Sequence, residues 1–344
     1  MDSNVVALRD PVLDEPVLPS DKYVIGEIDN SKAYNMYKKA LSCFWVAESI
    51  DCAEDAIHFH SLKKNEKKFI LTVLAFFAAS DGIVLENLAM RFYGDVKQAS
   101  VRLFYALQMA MENIHSEVYT DLIKSFVKDV AERRKLFTAV DNSGAVKAKA
   151  DWAEKWIRSD APFGERLIAF AAVEGILFSA SFCAIFYMRK RRIILPGLYQ
   201  SNEYISRDEA MHCEFACMLH DQLQKHNQCN KDRITEIIKS AVETEKAFVD
   251  EALASPILGM NAALMMQYVR FVADVLLKML GCPATYNESN PFPFMDTISM
   301  GNKTNFFERK VTEYSLAEVT VPGSKNLIES SDDASRDFSL DNDF

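Results

Sequence analysis

From about Lys32 to Leu280, apolar side chains recur at three- and four-residue intervals, the spacing of one helix face. Two-residue alternation, the mark of a half-buried strand, is hard to find there, and Pro and Gly are scarce. The pattern predicts helices over roughly 32–42, 52–59, 65–93, 97–128, 131–140, 145–158, 163–190, 200–225, 231–253 and 259–280. Punctuation supports several of them. Asp95 precedes the segment at 97–128, Pro162 stands near the start of the one at 163–190, and Pro196-Gly197 follows its end. Long helices without strands must bury their apolar stripes against one another, so the expected fold is an all-α bundle. Residues 1–20 read as a flexible, Pro-containing arm and 318–344 as a disordered acidic tail, leaving 21–317 as the folded domain. Within that domain, 281–310 is looser, with Pro283, Pro291 and Pro293.

One segment changes the picture. Leu167 to Met188 is apolar over a length that would cross a bilayer. Two features favour a helix at the centre of a bundle instead. The sequence shows no second comparable span, and Glu174 lies inside the run, where a carboxylate facing lipid is costly. The expectation is therefore no membrane association.

The composition fits a globular chain: 344 residues, 49% hydrophobic and 26% charged. A net charge of −10 argues against a nucleic-acid partner, which would require phosphate neutralisation. The seven cysteines include no CxxC pair, which excludes a zinc ribbon and a disulfide framework and suits a reducing compartment. The N-terminal stretch is acidic and carries no secretory or transit pattern, so a cytoplasmic location is expected. No GxxxxGK[ST] or GxGxxG loop is present to cradle a nucleotide.

The chemistry concentrates on four helical segments. Glu112 and His115 in AMENIHSEVY are one turn apart and share a face. The same Glu-x-x-His spacing recurs at Glu209 and His212 in SRDEAMHC. One such pair arises by chance on solvated helices; two on separate apolar helices are a metal-ligand signal. Asp81 and Glu174 are lone acids in apolar surroundings with almost no basic residues nearby. A buried carboxylate must be paired, neutralised or metal-bound. One acid from each of two helices plus Glu-x-x-His from two more is the ligand set of ferritin-like dinuclear carboxylate bundles, with Asp81 standing where a Glu is usual. Tyr119 follows His115 by four residues on the same stripe. Phe178 and Phe182 follow Glu174 by four and eight, and Ile205 precedes Glu209 by four. These apolar side chains could wall a phenol from water, although such stripes are more often simple packing.

The stretches AASDGIV, MENIHSEVY, AAVEGILFS, LPGL and SNEYISRDEAMHC resemble the small subunit of eukaryotic-type class I ribonucleotide reductase. FWVAESID, ADWAEKWI and GNKTNFF extend the likeness, which runs from about Asp21 to Tyr314. The resemblance implies a ferritin-like fold, a homodimer or a heterodimer with a paralogue, and two iron ions per chain, with manganese as the alternative. By motif position it implies metal ligands at Asp81, Glu112, His115, Glu174, Glu209 and His212, and a radical at Tyr119. It further implies radical transfer through Trp45, Asp208 and Tyr314 to a large subunit that reduces ribonucleotides, with Arg207 assisting proton transfer. The terminal FSLDNDF, with Phe338, Leu340 and Phe344, would anchor that large subunit. Two other readings compete: a ferritin-like di-metal oxidase acting on its own substrate, and a non-catalytic scaffold paralogue. The first has no need of Tyr119 or Trp45, and the second should lack the ligands.

Overall fold

A computed structural model describes residues 28–138, 144–253 and 260–295. Among them the regular structure is helical and no β-strand occurs. In chain order the helices are α1 Ser31–Ser42, α2 Ala53–Ser61, α3 Lys64–Asp95, α4 Ala99–Phe126, α5 Val130–Phe137, α6 Gly144–Ile157, α7 Phe163–Lys190, α8 Pro196–Gln222, α9 Lys231–Ala252 and α10 Ala262–Met279. Each of the ten expected segments is found.

Four long helices frame the interior. α3 lies along α4 and α7 along α8, with α4 and α8 also in contact. α1 and α2 cover α4 and α8, while α6, α9 and α10 pack behind α7. The core between them is dense in aromatics, with Phe76, Phe77, Phe92, Phe104, Phe178 and Phe215 fully buried.

The helix ends follow local chemistry. Asn30, Asn230 and Asn261 cap α1, α9 and α10 by accepting from Ala33, Arg233 and Leu264 N–H at 2.9–3.1 Å. α8 begins at Pro196, four residues before the expected start at 200, because Pro at the first helical position starts a helix rather than preceding it. Its first turn is held from outside. The Asp55 carboxylate of α2 accepts from Gly197 and Leu198 N–H, both at 2.8 Å. Gly197 is required here, since a Cβ would sit 2.5 Å from the Asp51 carbonyl oxygen. Asp95 does not cap α4, contrary to expectation. It instead pairs with Arg166 at 2.8 Å, and Asp29 accepts from Ala99 and Ser100 N–H at 2.6 and 3.1 Å in its place.

Two helices deviate from α geometry. A π-helical turn interrupts α3 at Leu88–Phe92 and another interrupts α7 at Val173–Leu177. The second contains Glu174, and such turns mark functional positions often enough to be informative.

The sequence reading of a single membrane-length run is corrected. α3 as well as α7 is long and apolar enough to cross a bilayer. The distinction comes from packing: the apolar window of α7 is 100% buried within the protein, and that of α3 is 56% buried. α7 is therefore a core helix, and α3 keeps one apolar flank outward.

Candidate metal centre and tyrosine pocket

α3, α4, α7 and α8 bring Asp81, Glu112, His115, Glu174, Glu209 and His212 together, each no more than 3% exposed. They form two overlapping donor groups, Glu112–Glu174–Glu209–His212 and Asp81–Glu112–His115, with the ligand atoms of each group within 4.8 Å of one another. Glu112 belongs to both groups. His212 Nδ1 lies 3.1 Å from both Glu112 Oε1 and Glu209 Oε2. His115 Nδ1 lies 3.1 Å from Glu209 Oε1 and 3.5 Å from Glu112 Oε2.

The donor atoms converge without satisfying one another. Asp81 Oδ2, Glu112 Oε2, His115 Nδ1, Glu174 Oε2 and Glu209 Oε1 are buried and make no aligned hydrogen bond. No Lys or Arg among the described residues neutralises these acids. Buried polar atoms are normally paired, so five orphans around one point fit a missing charge of opposite sign. Oxygen and imidazole donors in this ratio suit first-row divalent metals.

Electrostatics agree. Burial raises Asp81 well above the ordinary carboxylate range and Glu112 adds to it. Burial also raises Glu174, with the facing Glu209 adding to it. Burial alone would lower His212, but the Glu112 and Glu209 carboxylates outweigh it and push it up to about 9. These shifts favour bound protons at Asp81, Glu174 and His212, where cations would otherwise supply positive charge.

Gln108, one turn before Glu112, was not foreseen. It is 1% exposed, and its amide nitrogen lies 3.4 Å from Glu112 Oε1 and 3.2 Å from Glu174 Oε1. A spacing rule would have found it, since it shares the stripe of Glu112 and His115.

Tyr119 is buried beside the centre, and its ring stacks on Phe77 at 4.8 Å. Phe182 stacks on Phe77 at 4.9 Å, and Phe178 meets it edge-on at 5.7 Å. The expected Phe178 and Phe182 thus reach the tyrosine through Phe77, which sequence reasoning missed although it precedes Asp81 by one turn. Ile205 is fully buried on α8. Burial raises the Tyr119 phenol well above its ordinary pKa, and Asp81 is the strongest of the carboxylates adding to it.

A second constellation lies on the outer side of His115. Asp208 Oδ2 accepts from Trp45 Nε1 at 2.8 Å and lies 3.3 Å from His115 Nε2. Arg207 donates to Asp208 Oδ1 through Nε and Nη2 at 3.0 and 2.9 Å, and Nη2 also reaches the Cys43 carbonyl at 2.8 Å. Burial would raise Asp208, but Arg207, His115 and Trp45 outweigh it and hold it below the usual value. The Trp45 ring stacks on His115 at 5.8 Å and 19°. Trp45 itself is buried, while its sequence neighbours Phe44 and Val46 are 45% and 41% exposed. Tyr314, Phe338, Leu340 and Phe344 lie outside the described residues.

A four-helix core that carries one acid on each of two helices and Glu-x-x-His on each of the other two defines a dinuclear carboxylate protein of the ferritin-like class. The comparisons narrow the class. A profile of the family "Ribonucleotide reductase, small chain" matches residues 22–291. The ribonucleoside-diphosphate reductase small chain of Nicotiana tabacum is 48% identical over 333 residues, 96% of this chain and 98% of its own. Subunit M2 of Homo sapiens is 48% identical over 336 residues, 97% of this chain and 83% of its own. The solved Rnr4 homodimer of ribonucleotide reductase from Saccharomyces cerevisiae superposes with a TM-score of 0.73 at 35% identity, covering 85% of this chain and 89% of that one. The chain belongs to the ribonucleotide reductase small-chain family.

Proposed function

We propose that this chain is the radical-generating subunit of a class I ribonucleoside-diphosphate reductase, an oxidoreductase that works only with a large subunit. The observation that carries the reading is the pair of donor groups joined at Glu112, with Tyr119 buried one turn beyond His115. Asp81, Glu112, His115, Glu174, Glu209 and His212 would hold two ions, iron or alternatively manganese. When bound, these ions would activate O2, the oxidant that takes the electron from Tyr119.

The protein's own groups prepare that event. Burial keeps the phenol protonated until it is oxidised, and the charge of Asp81 acts on it most strongly among the carboxylates. Phe77, Phe178, Phe182 and Ile205 keep water from the oxidised ring. Asp208 fixes the His115 imidazole from behind and joins it to Trp45, giving electron and proton a continuous path from the centre to Trp45. Tyr314 would continue the path, and Phe338, Leu340 and Phe344 would anchor the large subunit that performs ribonucleotide reduction. The ligand set is complete in this chain, which disfavours a scaffold role. Trp45 and Tyr119 have no purpose in a self-contained oxidase.

The outward stripe of α3 supports a homodimer. Leu71, Ala78, Gly82, Leu85 and Ala89 fall on one face at helical spacing, all accessible in the single chain. A cytoplasmic location and a folded domain at 21–317 complete the reading.

The test is to add ferrous iron and O2 to the metal-free full chain, then measure electron paramagnetic resonance and metal content. About two irons per chain and a tyrosyl signal absent from Tyr119→Phe support the proposal. Two metals without a radical favour an oxidase, and no metal uptake refutes the centre.

A further inference from the structure

Lys149 on α6 and Glu245 on α9 form an ion pair that the proposed chemistry does not use. Their side chains are 1% and 0% exposed, and Nζ lies 2.6 Å from Glu245 Oε2. The ammonium is also clasped by two rings, 3.9 Å from the centre of Phe76 and 3.6 Å from that of Phe248. Burial pulls Lys149 down to about 8 and pushes Glu245 up to about 7. Such a pair is expensive to bury, and apolar side chains of similar volume often serve stability as well or better.

Its position against α7 suggests what it is for. The π turn Val173–Leu177 ends at Phe178, where the α-helix breaks, and α geometry resumes at Ser179. A break orphans carbonyls on the upper segment and N–H groups on the lower. The Ile176 carbonyl is taken by the Ser179 hydroxyl at 2.7 Å. The Leu177 carbonyl is taken by Lys149 Nζ at 2.6 Å. The Glu245 carboxylate, 2.6 Å from that ammonium, also feels the Ala180 N–H just inside the lower segment, although neither of its oxygens makes an aligned hydrogen bond. The cation thus sits at the C-terminal end of one helical segment and the anion at the N-terminal end of the next, which is the favourable sense for both dipoles.

We propose that Lys149 and Glu245 are positioning residues that staple the helix break of α7, holding Glu174 above it and Phe178 within it. Glu174 lies in the π turn and Phe178 is the residue at the break, packed on Phe76 at 5.5 Å and Phe77 at 5.7 Å. Phe76 also faces the Lys149 ammonium, so the staple backs the aromatic wall that ends at Tyr119. The functional consequence rests on the metal and radical reading above; the staple itself does not.

The first readout is hydrogen exchange on the metal-free full chain. Lys149→Met and Glu245→Gln each speed exchange in peptides covering 171–182 by about tenfold, the scale of one orphaned buried partner, while peptides from α4 are unchanged. Lys149→Met/Glu245→Leu regains the wild-type melting temperature but keeps the fast local exchange, because the Leu177 carbonyl remains unpartnered. Unchanged exchange in the variants overturns the staple, as does acceleration that disappears in the double variant, since the pair would then serve stability alone. Should Lys149→Met fail to fold, the double variant and Glu245→Gln still decide the matter. The second readout is the iron-loaded chain, where the double variant shortens the lifetime of the Tyr119 radical about tenfold. A wild-type chain that forms no radical sinks the functional reading and leaves the exchange result standing.

Discussion

Replacing Asp208 with Asn separates two roles that the geometry joins in one carboxylate. Asp208 accepts from Trp45 and from both Arg207 nitrogens, at 2.8–3.0 Å, and lies 3.3 Å from His115 Nε2. The amide keeps the shape and one acceptor but loses the charge. Arg207 then keeps the Cys43 carbonyl and the Tyr204 ring, 5.4 Å from its Cζ, on a side chain only 15% exposed. Breaking a fully buried pair costs about 3–5 kcal/mol; the residual exposure and the carbonyl reduce this to roughly 2–3 kcal/mol. For a chain of this length that is a fall of about 2–6 °C in melting temperature, measured by calorimetry on the metal-free protein. The deficit has a pH signature. Asp208 is held below its ordinary 3.8, so its contribution is full above that value and is lost as pH falls through the depressed one. The gap between variant and wild type therefore narrows below about pH 4. With metal bound, the variant keeps the Tyr119 radical, weakens metal affinity about tenfold through looser His115, and fails to support reduction by the large subunit. An unchanged melting temperature at neutral pH, or full activity with the partner, would refute the reasoning.

Four other outcomes follow. Tyr119→Phe retains the metal content of wild type and gives no tyrosyl resonance. Gln108→Leu removes the amide shared by Glu112 and Glu174 and weakens metal binding about 10–100-fold in a chelator competition, with little change in fold by circular dichroism. Gly197→Ala drives a methyl into the Asp51 carbonyl and breaks the cap from Asp55, lowering the melting temperature by several degrees. Deleting Phe338–Phe344 leaves the radical signal intact and abolishes activity with the large subunit.

The ligands were legible because each had a reason visible in one dimension. Glu-x-x-His puts two donors on one face, and an acid inside an apolar run has to be compensated. Trp45 and Asp208 carry no such local oddity; the resemblance singled them out, and only packing shows the tryptophan proton on the carboxylate. The π turn at Glu174 was invisible because an i+5 hydrogen bond uses the same residue types as an i+4 one. Lys149 sits in a helix with other lysines and reads as solvated surface; that it is the buried one follows from where α3 and α9 place Phe76 and Phe248. Asp29 capping α4 spans about seventy positions and had no sequence signal. The membrane-length apolar run of α3 is masked in the sequence because Ser80 and Asp81 interrupt it and lysines precede it.

The crowding of acids and imidazoles in the cluster ties metal binding to protons. Burial raises Asp81 and Glu174, and the facing carboxylates push His212 up to about 9, so cations would compete with protons for all three. Metal uptake is therefore expected to release protons. An alkaline shift in the surroundings would speed filling, and an acidic one would protect the empty form. The side chains that would seat a metal thus also make its uptake sensitive to pH.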